Sequence, residues 1–151
     1  MAEGTVTVYT DGACRGNPGP GGWAAIIMFG GSEKLLAGGE ENTTNNRMEL
    51  QAVISALSAL NRKCSVSLFS DSKYFVDSMN LGWARGWKLR GWKKKDGKPA
   101  LNPDLWEKIL ELDSLHDVTY TWVEGHSGQE FNERCDRIAT TFADAFVSGR
   151  R

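Results

Sequence analysis

The sequence lacks the features that mark membrane proteins, secreted proteins and structural zinc sites. Its longest apolar stretch, Trp23 to Phe29, is far shorter than the ~20 residues that a membrane-spanning helix needs. The chain does not open with a basic start followed by an apolar stretch, so no secretory signal is expected. The 3 cysteines cannot all pair, and none lies in a Cys-x-x-Cys motif. We therefore expect a reduced cytoplasmic protein without a disulfide framework, a zinc site or a membrane partner.

The remaining composition is that of one folded domain covering residues 1–151. Hydrophobic residues make up 40% and charged residues 25% of the chain, as in ordinary globular proteins. A chain of 151 residues buries roughly 68–70% of its unfolded surface around one core. The sequence has no internal repeat or low-complexity tract, and because it shows no long coiled-coil or apolar edge pattern, we expect a monomer.

Positive charge is concentrated in one segment, although the net charge of the chain is only −1. Between Trp83 and Lys98 there are seven basic residues and one acid, so the segment carries +6 and the rest of the chain −7. This asymmetry indicates a polyanion-binding protrusion on a body that holds its own acidic site. Alternatively, Trp87 and Trp92 pack on the core and the lysines between the tryptophans are merely solvated.

Three strands are predicted at the start of the chain, paired as antiparallel neighbours. Thr5–Thr10 alternates apolar and polar residues and ends in a turn at Asp11. The loop from Cys14 to Gly22 is too rich in glycine and proline for regular structure. Trp23–Phe29 and Lys34–Gly38, separated by two glycines, form a β-hairpin that extends the first strand.

The rest of the chain is predicted to alternate helices and strands. The predicted elements are a helix from about Asn46 to Leu60, a strand Ser65–Ser70, a helix capped by Asp71-Ser72 and reaching about Met79, a helix from Asn102 through Leu112, a strand Val118–Val123, and a helix Asn132–Phe146 with Cys135, Ile138, Ala139, Phe142 and Phe146 facing inward. This order predicts an α/β fold with a five-stranded mixed sheet flanked by helices. Strands 1–3 would be antiparallel, and strands 1, 4 and 5 parallel through right-handed crossovers.

Four acids stand where apolar runs meet polar turns: Asp11, Glu49, Asp71 and Asp136. Sites in an open α/β sheet form at the carboxyl ends of its central strands, where Asp11 and Asp71 are predicted to lie. Like charges ~4 Å apart repel by roughly 4 kcal/mol at an effective dielectric of ~20. A gathered cluster would therefore require divalent cations. Carboxylates that hold two hard cations are typical of phosphodiester-cutting sites.

Each acid also has a structural explanation of its own. Asp11 precedes a glycine, as turn residues often do, and Asp71 is placed to cap a helix. Glu49 stands at capping-box spacing in its helix. Asp136 lies one turn from Glu133, and water would relieve their repulsion as well as a cation would. No single turn, however, needs all four acids.

The residues around these acids resemble bacterial type-I ribonuclease H. The similar segments are Thr10–Cys14, Gly16–Gly22, Thr43–Leu50, Ser70–Tyr74, Gly125–Gly128 and Asn132–Asp136. They span nearly the whole chain, in the order and at the spacing of the family. The resemblance implies a ribonuclease H-like fold and an endonuclease that hydrolyses the RNA strand of RNA/DNA hybrids, with little sequence preference. The implied products carry 5′-phosphate and 3′-hydroxyl ends.

The resemblance also implies a cofactor and a role for each acid. The four carboxylates would bind two Mg²⁺ ions, for which Mn²⁺ is expected to substitute, and no small-molecule cofactor is needed. Asp11 would bridge the ions. Glu49 and Asp71 would serve the leaving group, and Asp136 the nucleophile. His126 would act in proton transfer or product release and not as a metal ligand, although a loop histidine is more often solvated and inert.

Further positions match the family's contacts with the two strands of the hybrid. The RNA strand would contact Cys14, Asn17, Asn45 and Asn46, a DNA phosphate would contact Thr44 and Asn102, and the basic segment would grip the DNA strand through Trp83, Trp87, Lys88, Arg90, Lys93 and Lys94. Two positions depart from the family pattern. Asn42 stands where relatives commonly carry arginine, and Lys73 replaces a more frequent glutamine and adds positive charge close to the acids.

Two other classes of function stay open. A non-catalytic hybrid-binding module would be favoured if any of the four acids were Asn or Ala, but all four are present. A DNA-directed nuclease or transposase-like enzyme on the same sheet usually carries extra DNA-binding domains, which a chain of 151 residues is not expected to contain.

Overall fold

The protein forms a five-stranded mixed sheet, seen in a computed structural model that describes residues 5–125 and 129–148. The strands are β1 (Thr5–Cys14), β2 (Gly19–Phe29), β3 (Ser32–Thr43), β4 (Ser65–Ser70) and β5 (Asp117–Trp122). Their spatial order is β3-β2-β1-β4-β5. β1 to β3 pair antiparallel, whereas β1, β4 and β5 run parallel. The predicted fold class and strand directions are confirmed.

Five helices connect and cover the strands in the described ranges. They are α1 (Asn45–Ser58), α2 (Lys73–Asn80), α3 (Trp83–Leu89), α4 (Pro103–Leu115) and α5 (Glu130–Ser148). Thr44 and Ser72 cap α1 and α2, because their side chains accept hydrogen bonds from backbone N–H groups of the first turn. Pro103 opens α4, where its missing N–H costs nothing. None of these helices is long and apolar enough to cross a bilayer.

The first strands are longer than predicted, and the prediction of an irregular segment up to Gly22 is wrong. Gly19–Gly22 belong to β2, and Asp11 lies inside β1, opposite Ala24, and not in a turn. The glycines serve close packing here: a Cβ at Gly22 would overlap the carbonyl oxygen of Ala139 in α5. The prediction treated the glycines as turn formers, whereas they let a helix approach the sheet.

Helices cover both faces of the sheet, and the residues of β1 and β2 alternate between two cores. Helices α1 to α4 pack over the larger core, in which Trp106 is fully buried between the rings of Phe75 and Trp87. Helix α5 packs over a smaller core on the opposite face.

The prediction that Phe142 faces inward is wrong, because its side chain is 39% exposed. The predicted inward positions of Cys135 and Ala139 are confirmed, and Ala143 is buried as well. The Phe142 Cβ lies against Gly22 and the ring of Phe146 lies against Gly39, so α5 approaches the sheet closely at these glycines while much of the Phe142 ring stays exposed.

Candidate active site

Asp11 and Asp71 meet at one edge of the sheet because β1 and β4 are parallel neighbours. The last pair of their ladder is Thr10 opposite Ser70, and each acid follows directly after it. Asp11 is only 2% exposed, whereas Asp71 is half-buried. The prediction that both acids lie at the carboxyl edge of the central strands is confirmed.

Glu49 joins them because α1 lies directly on the backbone of β1. A Cβ at Gly12 would lie 2.6 Å from the backbone carbon of Met48 and would overlap the backbone nitrogen of Glu49. Glycine at this position therefore lets the first turns of α1 come against the strand next to Asp11. The Glu49 side chain is buried. One carboxylate oxygen from each of Asp11, Glu49 and Asp71 lies within 4.8 Å of the others.

This crowding strongly perturbs the two buried acids. Burial, followed by the charge of Asp71, raises the pKa of Asp11 to about 9, although the Gly12 N–H donates a 2.8 Å hydrogen bond to its Oδ1. Burial also raises the pKa of Glu49 well above its usual range, with the charges of Asp11 and Asp71 adding to the effect. Without a counter-charge, these carboxyl groups favour their protonated forms.

Two oxygens of the cluster have no hydrogen-bond partner within the described part of the chain. They are Oδ2 of Asp11 and Oε1 of Glu49, and both are buried. A buried acceptor without a partner costs free energy, and a cation bound between the carboxylates would remove that cost. Oxygen donors alone, at this charge, suit a hard divalent ion such as Mg²⁺ or Mn²⁺. The residues present therefore fit a divalent metal.

Asp136 lies near this group but outside its tightest part. The Sγ of its neighbour Cys135 donates to the Tyr9 carbonyl oxygen at 3.5 Å, which fixes this turn of α5 against β1. The charge of Asp136 also raises the pKa of Asp11, as the smallest of the causes. Among the described residues, Asp11, Glu49 and Asp71 form the one group of three or more potential metal ligands with atoms within 4.8 Å of one another, and Asp136 is not in it. The prediction that Asp136 is a ligand stays a prediction.

His126 lies outside the described residues, so its predicted role stays a prediction. Gly125, the last described residue before it, lies beside the cluster, since a Cβ at this position would lie 3.0 Å from Oδ2 of Asp71.

The glycine-rich loop is tied to the start of α1 at the same edge of the sheet. The Asn45 backbone N–H donates to Oδ1 of Asn17 at 3.1 Å. The Cys14 Sγ donates to the carbonyl oxygens of Thr43 and Gly19 at 3.4 and 3.5 Å. The structure therefore brings together Cys14, Asn17, Thr44 and Asn45, and it places Asn46 on the exposed first turn of α1.

Asn102 is held by a set of hydrogen bonds between α1 and α4, the Arg47 clasp, that was not predicted from the sequence. The Nη1 of Arg47 donates to Oδ1 of Asn102 at 3.0 Å, and Nη1 and Nη2 donate to both carboxylate oxygens of Asp104 at 3.2 and 2.9 Å. Asn102 has a left-handed backbone with φ 55°, a conformation that asparagine tolerates. The sequence did contain one signal of this contact. Arg47 is a cation in the first turn of α1, where the helix dipole disfavours a positive charge that has no acidic partner.

The basic segment divides into paired and unpaired charges. Arg85 pairs with Asp113 at 2.7 Å and Lys88 with Glu107 at 2.9 Å. Arg90 donates to the Lys93 carbonyl oxygen. Four lysines have no ion pair in the described ranges: Lys93, Lys94, Lys95 and Lys98.

The tryptophans of this segment differ in exposure. Trp83 is 41% exposed and is available to a ligand. Trp87 is 8% exposed and Trp92 packs against the same core, so packing is confirmed for these two. Trp87 supports the segment from within and offers little surface to a substrate.

Comparisons with known proteins agree on one family. A family model described as RNase H matches residues 3–144. The ribonuclease H of Syntrophus aciditrophicus (strain SB) is 56% identical over 134 residues, which cover 89% of this chain and 78% of the relative. The ribonuclease H of Desulforamulus reducens is 50% identical over 138 residues, which cover 91% of this chain and 87% of the relative.

Solved structures share the fold. LC9-RNase H1, a type 1 RNase H, has a TM-score of 0.83 at 34% identity, with 95% of this chain and 74% of that chain covered. LC11-RNase H1, solved in complex with an RNA/DNA hybrid, has a TM-score of 0.71 at 24% identity, with 94% of this chain and 99% of that chain covered. The likeness to LC11-RNase H1 shows the fold alone.

Proposed function

This chain belongs to the RNase H family, and we propose that it is an endonuclease that hydrolyses the RNA strand of RNA/DNA hybrids. Cleavage leaves 5′-phosphate and 3′-hydroxyl ends and depends little on sequence. The observation that carries the proposal is the group of three carboxylates, Asp11, Glu49 and Asp71, with oxygens within 4.8 Å of one another. Relatives at 50% and 56% identity that are named ribonuclease H support the same activity.

The metal that we propose is Mg²⁺, as two ions, with Mn²⁺ able to replace it. The all-oxygen donor set and the two buried oxygens without partners support a hard cation at this place. When bound, such ions polarise an attacking water and stabilise the departing 3′ oxygen. Because burial raises the pKa of Asp11 to about 9, loading the site at neutral pH releases protons, and affinity for the ion rises with pH.

Each acid has its own place in the proposed mechanism. As the family resemblance implies, Asp11, which is buried and lies beside the other acids, would hold both ions. Glu49 and Asp71 hold the side of the leaving group. Asp136, set back on α5, holds the side of the nucleophile. His126 moves a proton or assists product release.

The hybrid would lie along the edge that carries the cluster. Cys14, Asn17, Asn45 and Asn46 surround the junction between the glycine-rich loop and α1, where short polar groups suit contacts with 2′-hydroxyls across a wide minor groove.

Two other groups of residues would bind the DNA strand, one at a single phosphate and one further along the strand. Thr44 and Asn102 would hold a DNA phosphate, with the Asn102 amide oriented by Arg47. Trp83 and the basic side chains Lys88, Arg90, Lys93 and Lys94 would hold the DNA strand further along. Lys73, whose Nζ pairs with Asp77 at 3.4 Å, would add positive charge near the cluster. We further propose that residues 1–151 act as one domain, as a cytoplasmic monomer without a small-molecule cofactor.

Three duplexes assayed in parallel test the proposal. An RNA/DNA hybrid, an RNA duplex and a DNA duplex of one sequence are incubated with the protein and Mg²⁺, with each strand labelled separately. We expect cleavage of the RNA strand of the hybrid only. Binding of the hybrid without cleavage would favour a non-catalytic hybrid-binding module instead, and cleavage of the DNA duplex would favour a DNA-directed nuclease.

A further inference from the structure

Trp122 contacts the backbone that presents Asp71. It is the last residue of β5 and lies opposite Ser70, the last residue of β4. Its indole Nε1 donates a hydrogen bond to the backbone carbonyl oxygen of Asp71 at 3.2 Å. The next residue, Val123, donates its N–H to the carbonyl oxygen of Ser70 at 2.9 Å. The end of β5 therefore holds the junction between β4 and α2 at two consecutive carbonyl groups.

Core packing does not account for the Trp122 side chain. It is 43% exposed, so much of its surface stays in water. Its ring also faces the Lys73 ammonium group, which lies 5.7 Å from the ring centroid, a cation–π distance. Lys73 begins α2, one residue after the N-cap Ser72. Trp122 thus contacts both Asp71 and the first helical residue beyond it.

The same segment also reaches the carboxylate of Asp71. A Cβ at Gly125 would lie 3.0 Å from Oδ2 of Asp71, so the backbone at Gly125 passes directly beside this oxygen. Asp71 is therefore held at its carbonyl oxygen by Trp122 and bordered at its carboxylate by Gly125. Asp71 is half-buried, whereas Asp11 and Glu49 are buried. It is the acid of the cluster that the core fixes least.

We propose that Trp122 is a positioning residue for the metal site. Its indole N–H holds the Asp71 backbone so that the carboxylate stays within ligand distance of Asp11 and Glu49. The proposal rests on the proposed function, because this placement matters only if the carboxylates share a divalent ion. Loss of the hydrogen bond widens the range of positions that the Asp71 carboxylate samples, and affinity for the ion falls.

Trp122→Phe tests this role, because phenylalanine keeps an aromatic ring beside Lys73 but has no N–H. The measurement is Mn²⁺ binding by isothermal titration calorimetry without nucleic acid, with the thermal midpoint of the metal-free protein alongside. We expect Trp122→Phe to weaken Mn²⁺ binding about threefold to tenfold, as the removal of one hydrogen bond allows. The metal-free midpoint is expected to shift by less than about 3 °C. Phe29→Leu changes another exposed strand-end aromatic, which the register of β1 and β2 places at the opposite end of β1 from Asp11, and is expected to leave Mn²⁺ binding unchanged.

Gly125→Ala tests separately the premise of this role, that the position of the Asp71 carboxylate sets the affinity for the ion, and it stays informative if Trp122→Phe fails to fold. Its added methyl group would press on Oδ2 of Asp71 without removing any packing, and it is expected to weaken Mn²⁺ binding by a similar factor. If the folded variants bind Mn²⁺ with wild-type affinity, the positioning role is overturned, even when their thermal midpoint is lower. The proposed function stays intact in that case, provided that the wild type cleaves the hybrid. A wild-type protein that neither binds Mn²⁺ nor cleaves hybrid would overturn both.

Discussion

Asp11 and Asp71 are each the first residue after the last backbone pair of the β1–β4 ladder. This relationship, and not any local turn, brings the two carboxylates together. Neighbouring parallel strands end side by side, so acids that follow the same pair must face the same space. The charge of Asp71, after burial, then keeps the pKa of Asp11 near 9. A cation bound between the carboxylates would relieve the repulsion between their ionised forms.

The pH dependence of stability follows from this repulsion. The pKa of Asp11 is raised from 3.8 in the unfolded chain to about 9 in the folded one. The folded state therefore binds more protons over this range, and stability falls as pH rises through it. Urea denaturation of the metal-free protein between about pH 5 and 9 should give a decreasing free energy of unfolding.

Two controls separate this effect from other titrations. Asp11→Asn should reduce the slope of stability against pH, because asparagine does not ionise. Saturating Mg²⁺ should reduce it as well, because the ion stabilises the ionised carboxylates. Ion-paired acids such as Asp104 have a lowered pKa, so their contribution to stability is lost only below about pH 5 and does not change the slope between pH 5 and 9. Stability that rises steadily from pH 5 to 9 without metal would contradict the prediction.

Arg47 could either orient Asn102 or contact a phosphate directly, and the two roles predict opposite changes in KM when its ion pair with Asp104 is removed. If Arg47 orients Asn102, releasing the arginine with Asp104→Asn loosens Asn102 and raises KM for hybrid, by about threefold. A direct phosphate contact by Arg47 would instead strengthen on release from Asp104, and KM would fall. Glu111→Gln removes one acid elsewhere on α4 and controls for the change of charge. We expect the rise in KM for Asp104→Asn, a larger rise for Arg47→Ala, and little change in kcat.

The lysines without ion pairs should carry the salt dependence of binding. A Lys93→Gln, Lys94→Gln double variant should raise KM much more than it lowers kcat. The slope of log affinity against log salt concentration should fall by about 0.9 for each phosphate that the variant no longer neutralises. Lys108→Gln, which removes a lysine of α4 near Glu111, is the control for net charge. A loss of kcat at unchanged KM would place these lysines outside hybrid binding.

His126→Ala should lower kcat substantially without abolishing cleavage. Its proposed role is to move a proton or assist product release, and proton transfer typically contributes about 10²- to 10⁴-fold. Single-turnover and steady-state rates on the hybrid would separate the two steps. A wild-type rate in both assays would leave His126 without a catalytic role.

Part of the site could be predicted from the sequence because it depends on strand ends. Apolar runs locate the carboxyl ends of β1 and β4, and the acids that follow them, Asp11 and Asp71, are then placed by topology. Glu49 could be added only through the family resemblance, since its position depends on how closely α1 approaches β1. Gly12 permits that approach, but its neighbour Asp11 made it look like part of a turn.

The residues that the sequence did not indicate act through contacts across the fold. Arg47 reaches Asn102, 55 residues away in sequence, and Trp122 reaches Asp71, 51 residues away. No local pattern encodes such a partner. Phe142 was misplaced for a related reason, because the spacing of apolar residues does not reveal how close a helix lies to its sheet.

The rate of hybrid cleavage against Mg²⁺ concentration, for the wild type and Asp11→Asn, tests the central claim most directly. We predict cleavage of the RNA strand that saturates with Mg²⁺ and stops when the ion is chelated. Asp11→Asn, correctly folded and still binding the hybrid, should show no cleavage at any Mg²⁺ concentration. Wild-type rates in Asp11→Asn, or wild-type cleavage that persists without a divalent ion, would contradict the account.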